Sequence, residues 1–305
     1  MNIDGFRRLF EDVKNWGRWG ADDQAGATNH ITGAHVVHAA SLVRSGRSIS
    51  LAMPLHTTGP TPDGRPAATH LMTSTYDSFA PDEAGAFVGD YLAIESHGHA
   101  STHLDALCHM AFEGRLYNGH DAARTVTVRG AERLGVEQFG HGIVGRGVLL
   151  DVPATRGVDW LDPGDTVAPS DLELAEERAG VRVGEGDLVF VRTGRHRRWD
   201  AEPWLTRDAM PGLHVDALPW LHERRVALVG ADSSNEALPS SVAGMRNPIH
   251  LGLIVAMGVP LLDNCHLEEL TEACAGLGRW EFLAVVAPLR LVGGTGVAVN
   301  PLAVL

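Results

Sequence analysis

Five short segments, apolar through their middles and bounded by Gly, Pro or Asp, limit the fold most tightly: "DYLAIES" (90–96), "GRGVLLDV" (145–152), "GDLVFVRTG" (186–194), "RRVALVGAD" (224–232) and "EFLAVVAPLRLV" (281–292). Their length and their Val and Leu content read as strands. A run such as "VALVG" has no polar residue on either parity, which predicts a sheet covered on both faces. Helical patterns lie before and between them at "GAHVVHAASLVRSG" (33–46), "SDLELAEERAG" (170–180), "DALPWLHERR" (216–225) and "NPIHLGLIVAMG" (247–258). Ser170 or Asp171, and Asn247 before Pro248, are the N-terminal caps these patterns suggest. The chain is therefore α/β. With no internal repeat and no low-complexity linker, residues 1–305 read as one domain. Roughly the first 50 form a loop and helix extension, in which "NWGRWGADDQAGATNHIT" carries neither periodicity. The stretch "PLHTTGPTPDGRPAATH" (54–70) is turn-forming throughout and reads as a surface loop or lid.

Charge narrows the partners. A formal net charge of −13 opposes binding to nucleic acid or to an anionic membrane, which needs a basic face. A small molecule is the expected partner. No apolar run approaches the roughly 20 residues that cross a bilayer, and the opening "MNIDGFRRLFEDVKNWGRWG" has no apolar signal core. A cytoplasmic location is the resulting expectation. Cys108, Cys265 and Cys274 lack zinc-knuckle spacing and read as reduced packing residues, and Cys108 beside His109 is a weak candidate nucleophile.

Sixteen histidines draw attention to "HASTHLDALCH" (99–109), where His99, His103, Asp105 and His109 share one parity. As a single straight strand, residues 99–103 would span about 13 Å, too far for ligands each about 2.0–2.2 Å from one ion. A continuous helix would bring His99 to His103 but turn Asp105 away. The arrangement that serves all three is a strand ending near Ser96, a tight turn through "HAST", and a new helix or loop carrying Asp105 and His109. Such a cluster is either a metal site or a set of polar side chains on a shared surface. Burying these groups together without a cation leaves several of them in need of partners, which favours the metal.

The stretch resembles the signature His-x-Gly-Thr-His-x-Asp-x-Pro-x-His of the metal-dependent "putative cyclase" family, which includes bacterial kynurenine formamidases and isatin hydrolases. "NWGRWGADDQAGATNHIT", "THLDALCHMAFEGRLYNG", "GRGVLLDV", "GDLVFVRTG" and "GGTGVAVNP" (293–301) extend the likeness over most of the chain, as in the longer members. The resemblance implies a swivelling β/β/α fold with a β-barrel-like core and surrounding helices, in homodimers or larger homo-oligomers. It implies His99, His103 and Asp105 as metal ligands and His109 as general acid/base. His250 and Asp263 fit a further His and Glu of the family, with an Asp one methylene shorter, and His266 is an outside candidate for that role. Ser101 stands where the signature has Gly, and Leu107 where it has Pro.

Other features are weaker. "GGTG" lacks a Walker lysine and Rossmann spacing and reads as a turn. "RTGRHRRW" (192–199) reads as a solvated basic face. Glu236, Trp19 and Phe79 are candidates for the substrate pocket, and Trp16 for an apolar wall. Two imidazoles and a carboxylate suit Zn²⁺ or Mn²⁺ with positions open for water and substrate. The reading is a metal-dependent hydrolase of a small amide, cyclic imide or lactone, with metal-activated water and His109 moving the proton. The alternatives are a metal-dependent cyclase or dehydratase acting on a carbonyl compound, and a non-catalytic ligand-binding protein.

Overall fold

The computed structural model describes residues 1–58, 68–80, 84–203 and 208–305. Much of the turn-rich stretch 54–70 lies outside the described residues. No helix among those described is long and apolar enough to cross a membrane.

A curled nine-stranded sheet with helices around it organises the described chain. Its strands are β1 (Ser48–Ser50), β4 (His103–Asp105), β5 (Ile143–Asp151), β6 (Leu188–Arg192), β7 (Leu228–Ala231), β8 (Leu261–Asp263), β9 (Glu281–Val286), β10 (Gly296–Ala298) and β11 (Leu302–Val304). A separate hairpin pairs β2 (Ala68–Ser74) with β3 (Gly89–Ile94). Across the sheet the order is β1-β11-β9-β5-β6-β7-β8-β4-β10.

The sheet has two characters, and sequence explains both. β5, β6, β7 and β8 run parallel, and every residue of β6 and β7 is buried. That is the both-faces coverage predicted from their unbroken apolar runs. The flanking strands are antiparallel. β9 alternates half-exposed and buried positions, placing Phe282, Ala284 and Val286 inward. Phe282 faces Gly147 of β5 in register, and a Cβ on Gly147 would lie 2.3 Å from its ring, so this glycine makes room for the aromatic.

Several expectations change. β9 stops at Val286 rather than running to 292, because Pro288 follows and has no N–H for the ladder. Helix Pro169–Ala179 is capped at Ala168, whose N–H donates to Asp171 Oδ2 at 2.8 Å, so Asp171 acts from inside the helix. Asn247 makes no side-chain cap for the helix Pro248–His250, which continues as a π-helix through Leu251–Met257. The "solvated" basic run is partly interior. Arg192 is buried and bonded to Asp151 and Glu268, and Arg195 is 1% exposed.

The first fifty residues are stitched into the sheet and its helices. Helix Ile3–Asp12, absent from the sequence reading, buries Phe6 and Phe10 against Phe112. β1 pairs with β11. Trp16 Nε1 donates to Val255 O at 2.7 Å, and Ala27 N to Gly258 O at 2.7 Å. Gly26 sits at φ +58°, where a Cβ would lie 2.1 Å from the Gly258 carbonyl oxygen. Strain and a backbone clash coincide there. Gly26→Ala should therefore cost about 2 kcal/mol or more in urea unfolding; a loss under about 0.5 kcal/mol would mean that this junction gives way easily.

Candidate metal centre

At the carboxyl ends of β7 and β8 the parallel block meets the antiparallel strand β4. β4 lies between β8 and β10, with His103 opposite Asp263 and Ala298, and Asp105 opposite Leu261 and Gly296. Period-2 geometry puts His103 and Asp105 on one face while Leu104, fully buried, points into the core. This corrects the new helix or loop expected for Asp105. The chain does bend before His103, but the two residues that follow the bend are extended. They are close enough in the strand for their side chains to meet. A turn closed by His109 N donating to Ala106 O at 2.9 Å then returns His109 to the same place.

The groups converge on a cavity of about 170 Å³ lined by His97, His99, His103, Asp105, His109, Glu236, His250 and Asp263, among others. Asp105 is its centre. Oδ1 lies 3.5 Å from His103 Nε2, and Oδ2 lies 3.6 Å from His250 Nε2 and 3.8 Å from His109 Nε2. Asp263 Oδ2 stands 3.5 Å from His250 Nε2 and 3.9 Å from His103 Nε2. The shorter Asp therefore reaches the cluster. His266 instead stacks on His196, with ring centroids 4.8 Å apart.

A backbone carbonyl and a carboxylate hold the imidazoles. His103 Nδ1 donates to Ser101 O at 2.9 Å, and His250 Nδ1 contacts Glu236 Oε1 at 3.0 Å. Both rings then turn Nε2 toward the carboxylates. Glu236 Oε1 also accepts the His250 backbone N–H at 2.8 Å, doing the capping expected of Asn247.

Sequence reasoning missed His97. Its Nδ1 lies 2.8 Å from Asp105 Oδ1, its Nε2 lies 3.0 Å from Thr295 Oγ1 in the "GGTG" turn, and its ring stacks on His109 at 3.7 Å. His97 shares the parity of the other four residues, and that was the available signal. A Cβ on Gly296 would lie 2.6 Å from the His97 ring, so the last glycine of that turn gives the ring its space. His99 lines the same cavity. Trp19 packs edge-on against His30, and Phe79 against Phe87; neither is among the cavity-lining residues.

Electrostatics follow from this burial. Desolvation pushes the Asp105 carboxyl up, but the field of His109 and the bond from His97 more than reverse it, holding it below the usual carboxylate range. Burial lowers His109 to about 4, against the pull of Asp105, so the ring is neutral at pH 7. At His250 burial also acts downward, yet Asp263 and Glu236 raise it well above 6.5. Glu236 is raised by its own burial. Burial pushes the Cys108 thiol up to about 12, as befits a packing residue.

The donor set fits a divalent cation. Asp105 Oδ2 is buried with no hydrogen-bond partner among the described residues, although two imidazole nitrogens stand just beyond bonding reach. Two atoms each about 2.1 Å from one ion at a tetrahedral angle lie roughly 3.4 Å apart, close to the shorter separations found here. His103, Asp105 and Asp263 form one group of mutually close ligand atoms, and His97, Asp105 and His109 form another.

The family profile described as "Putative cyclase" matches residues 49–235. A crystal structure described as a novel cyclase is 34% identical, with a TM-score of 0.86, covering 96% of this chain and 99% of its own. Isatin hydrolase A from Ralstonia solanacearum is 24% identical, with a TM-score of 0.57, covering 84% of this chain and 91% of its own. Among curated proteins, an S-adenosylmethionine:tRNA ribosyltransferase-isomerase of Bradyrhizobium sp. (strain BTAi1) is 28% identical over 162 residues. That match takes in 52% of this chain and only 39% of the relative's length.

Beside the cluster, His196 is buried with Nε2 3.1 Å from Cys265 O, and burial, with Arg195 adding to it, keeps its pKa well below 6.5. The unfolded chain therefore takes up a proton below about pH 6.5 that the folded protein refuses. Stability should fall with pH in that range, by up to about 1.4 kcal/mol per pH unit from this group. Urea unfolding on both sides of pH 6.5 should show a weaker pH dependence in His196→Gln than in the parent; identical slopes would assign the acid sensitivity to other groups.

Proposed function

The chain belongs to the family described as "Putative cyclase", and on that premise we propose that it is a metal-dependent hydrolase of a small amide, cyclic imide or lactone. The observation that carries the reading is the buried Asp105 Oδ2, unpartnered among the described residues and ringed by imidazole nitrogens and by Asp263. Leaving that carboxylate oxygen without a cation is costly, because burial removes the water that would otherwise bond to it.

His103, Asp105, His250 and Asp263 would hold the ion, with His99 on the cavity wall as the ligand the family signature implies. Zn²⁺ or Mn²⁺ suits this mixture of imidazole and carboxylate. When bound, such an ion polarises a carbonyl group and makes water more acidic. The other work belongs to the chain. His109, neutral and 3.8 Å from Asp105, takes a proton from the attacking water and returns it to the leaving nitrogen or oxygen. His97, stacked on that ring, fixes its plane. Glu236 orients His250, and its place on the cavity wall also gives it contact with substrate. The name of the isatin hydrolase relative, whose substrate is a cyclic amide, supports the substrate class.

A homodimer or larger homo-oligomer belongs to the same reading. The β2–β3 hairpin exposes Leu71, Met72, Tyr91 and Leu92, and a lone two-stranded hairpin is marginal in water without a further surface to pack on.

Elemental analysis after metal loading should find at least one equivalent of Zn or Mn in the parent and little in His103→Ala. His109→Ala should keep its metal while kcat on a hydrolysed member of an amide, imide and lactone panel falls about 10²–10⁴-fold. A product of unchanged mass rather than one heavier by water would replace hydrolysis with cyclisation or isomerisation. A metal-loaded parent that turns over nothing in the panel would sink the hydrolase reading.

A further inference from the structure

We infer that Asn264, locked in place by Arg195, is a positioning residue that sets the conformation of loop 97–102 and the orientation of His103, and through them the affinity of the site for its cation. The inference rests on the metal-centre reading above.

Asn264 immediately follows β8 and has a backbone φ of 56°, a left-handed conformation that Asn adopts more readily than most residues. It is fully buried, and both ends of its amide are engaged. Arg195 Nη1 donates to Oδ1 at 2.6 Å, while Nδ2 donates to Gly98 O at 2.7 Å and to Ser101 O at 3.1 Å. These partners dictate the amide's orientation, since a guanidinium only donates and a carbonyl only accepts. The Asn264 carbonyl in turn accepts the Thr102 hydroxyl at 2.6 Å. One residue thus grips the loop at Gly98, Ser101 and Thr102.

The grip reaches the cluster through Ser101. Its carbonyl oxygen accepts both from Asn264 and from His103 Nδ1, the bond that leaves His103 Nε2 facing Asp105 and Asp263. Behind Asn264, the Arg195 guanidinium also donates to Asp232 O at 3.4 Å. The Asp232 carboxylate accepts the backbone N–H groups of Thr193, Gly194 and Arg195, fixing the turn from which Arg195 extends. The sequence Asp232, Arg195, Asn264, Ser101, His103 is a continuous set of bonds, of which only the last member faces the cation. Asp at position 264 would keep the shape and the bond from Arg195 but turn an oxygen toward two carbonyl oxygens.

The test is a competition titration of Zn²⁺ against a chelator, run on the parent, Asn264→Asp, Asn264→Gly and Gly147→Ala, with the unfolding midpoint of each measured alongside. Both Asn264 variants should bind Zn²⁺ about 10–100-fold more weakly, the range for losing a partner that orients a ligand. Gly147→Ala, which crowds the Phe282 ring between β5 and β9 and not the cavity, should bind as the parent does. Asn264→Asp binding within about twofold of the parent overturns the inference, as does an equal weakening in Gly147→Ala. If neither Asn264 variant folds, ¹⁵N NMR of the zinc-loaded parent decides: His103 should be protonated at Nδ1 with the metal on Nε2, and the reverse overturns it. A parent that binds no Zn²⁺ or Mn²⁺ fails the metal-centre reading first, and this inference with it.

Discussion

One buried carboxylate organises the centre of this molecule. Asp105 sits on a three-residue strand whose other face is sealed into the core, and its own side chain is buried at the floor of the cavity. The imidazoles around it, the Gly296 that clears space for His97, and the carbonyl and carboxylate that turn His103 and His250 toward it all answer that one charge. A carboxylate so placed must be neutralised by protons, by hydrogen bonds or by a cation. The raised affinity of His250 for a proton shows the site's negative field. A divalent ion held at His250 would satisfy the same field while displacing that proton, which would couple ion affinity to pH.

The architecture explains how such a charge is accommodated. A parallel block buried on both faces forms a rigid floor. Its carboxyl ends are where loops of differing sequence converge. Inserting β4 antiparallel beside β8 places His103 directly against Asp263, so backbone hydrogen bonds fix the spacing of these two groups before any side chain is considered. Asn264, one residue further on, carries that precision into the loop.

Legibility in the sequence follows length and patterning. β6 and β7 could be read because their apolar runs Leu188–Val191 and Leu228–Ala231 are unbroken, and the polar cluster because four titratable residues on one parity are conspicuous. β4 could not be, since three residues carry too little periodicity and two of them are polar. The helix at Ile3–Asp12 had a signal in Phe6, Phe10 and Val13, hidden by the Trp- and Gly-rich segment after it. Arg192 and Arg195 misled because charge alone does not reveal burial; their partners Asp151, Glu268 and Asn264 are 41 to 76 residues away. Trp19 and Phe79 were chosen by residue type, and type does not say which wall a ring faces. Recognition of the family signature supplied His250 and Asp263, which spacing alone would not have joined to residues near 100.

The strand order also has a kinetic side. His97, His103 and Asp105, then Glu236, His250 and Asp263, and finally Thr295 and Gly296 enter the centre from segments spread over some two hundred residues, and outside the block β5-β6-β7-β8 no two neighbours in the sheet are consecutive strands of the chain. Contacts of this kind close long loops, and such topologies fold slowly. A chain still emerging from the ribosome lacks His250 and Asp263, half of the residues that would hold the ion, until β8 is made. The candidate ion site is therefore a late product of folding, and a cation that preferred it would stabilise the finished molecule while offering little to its unfinished forms.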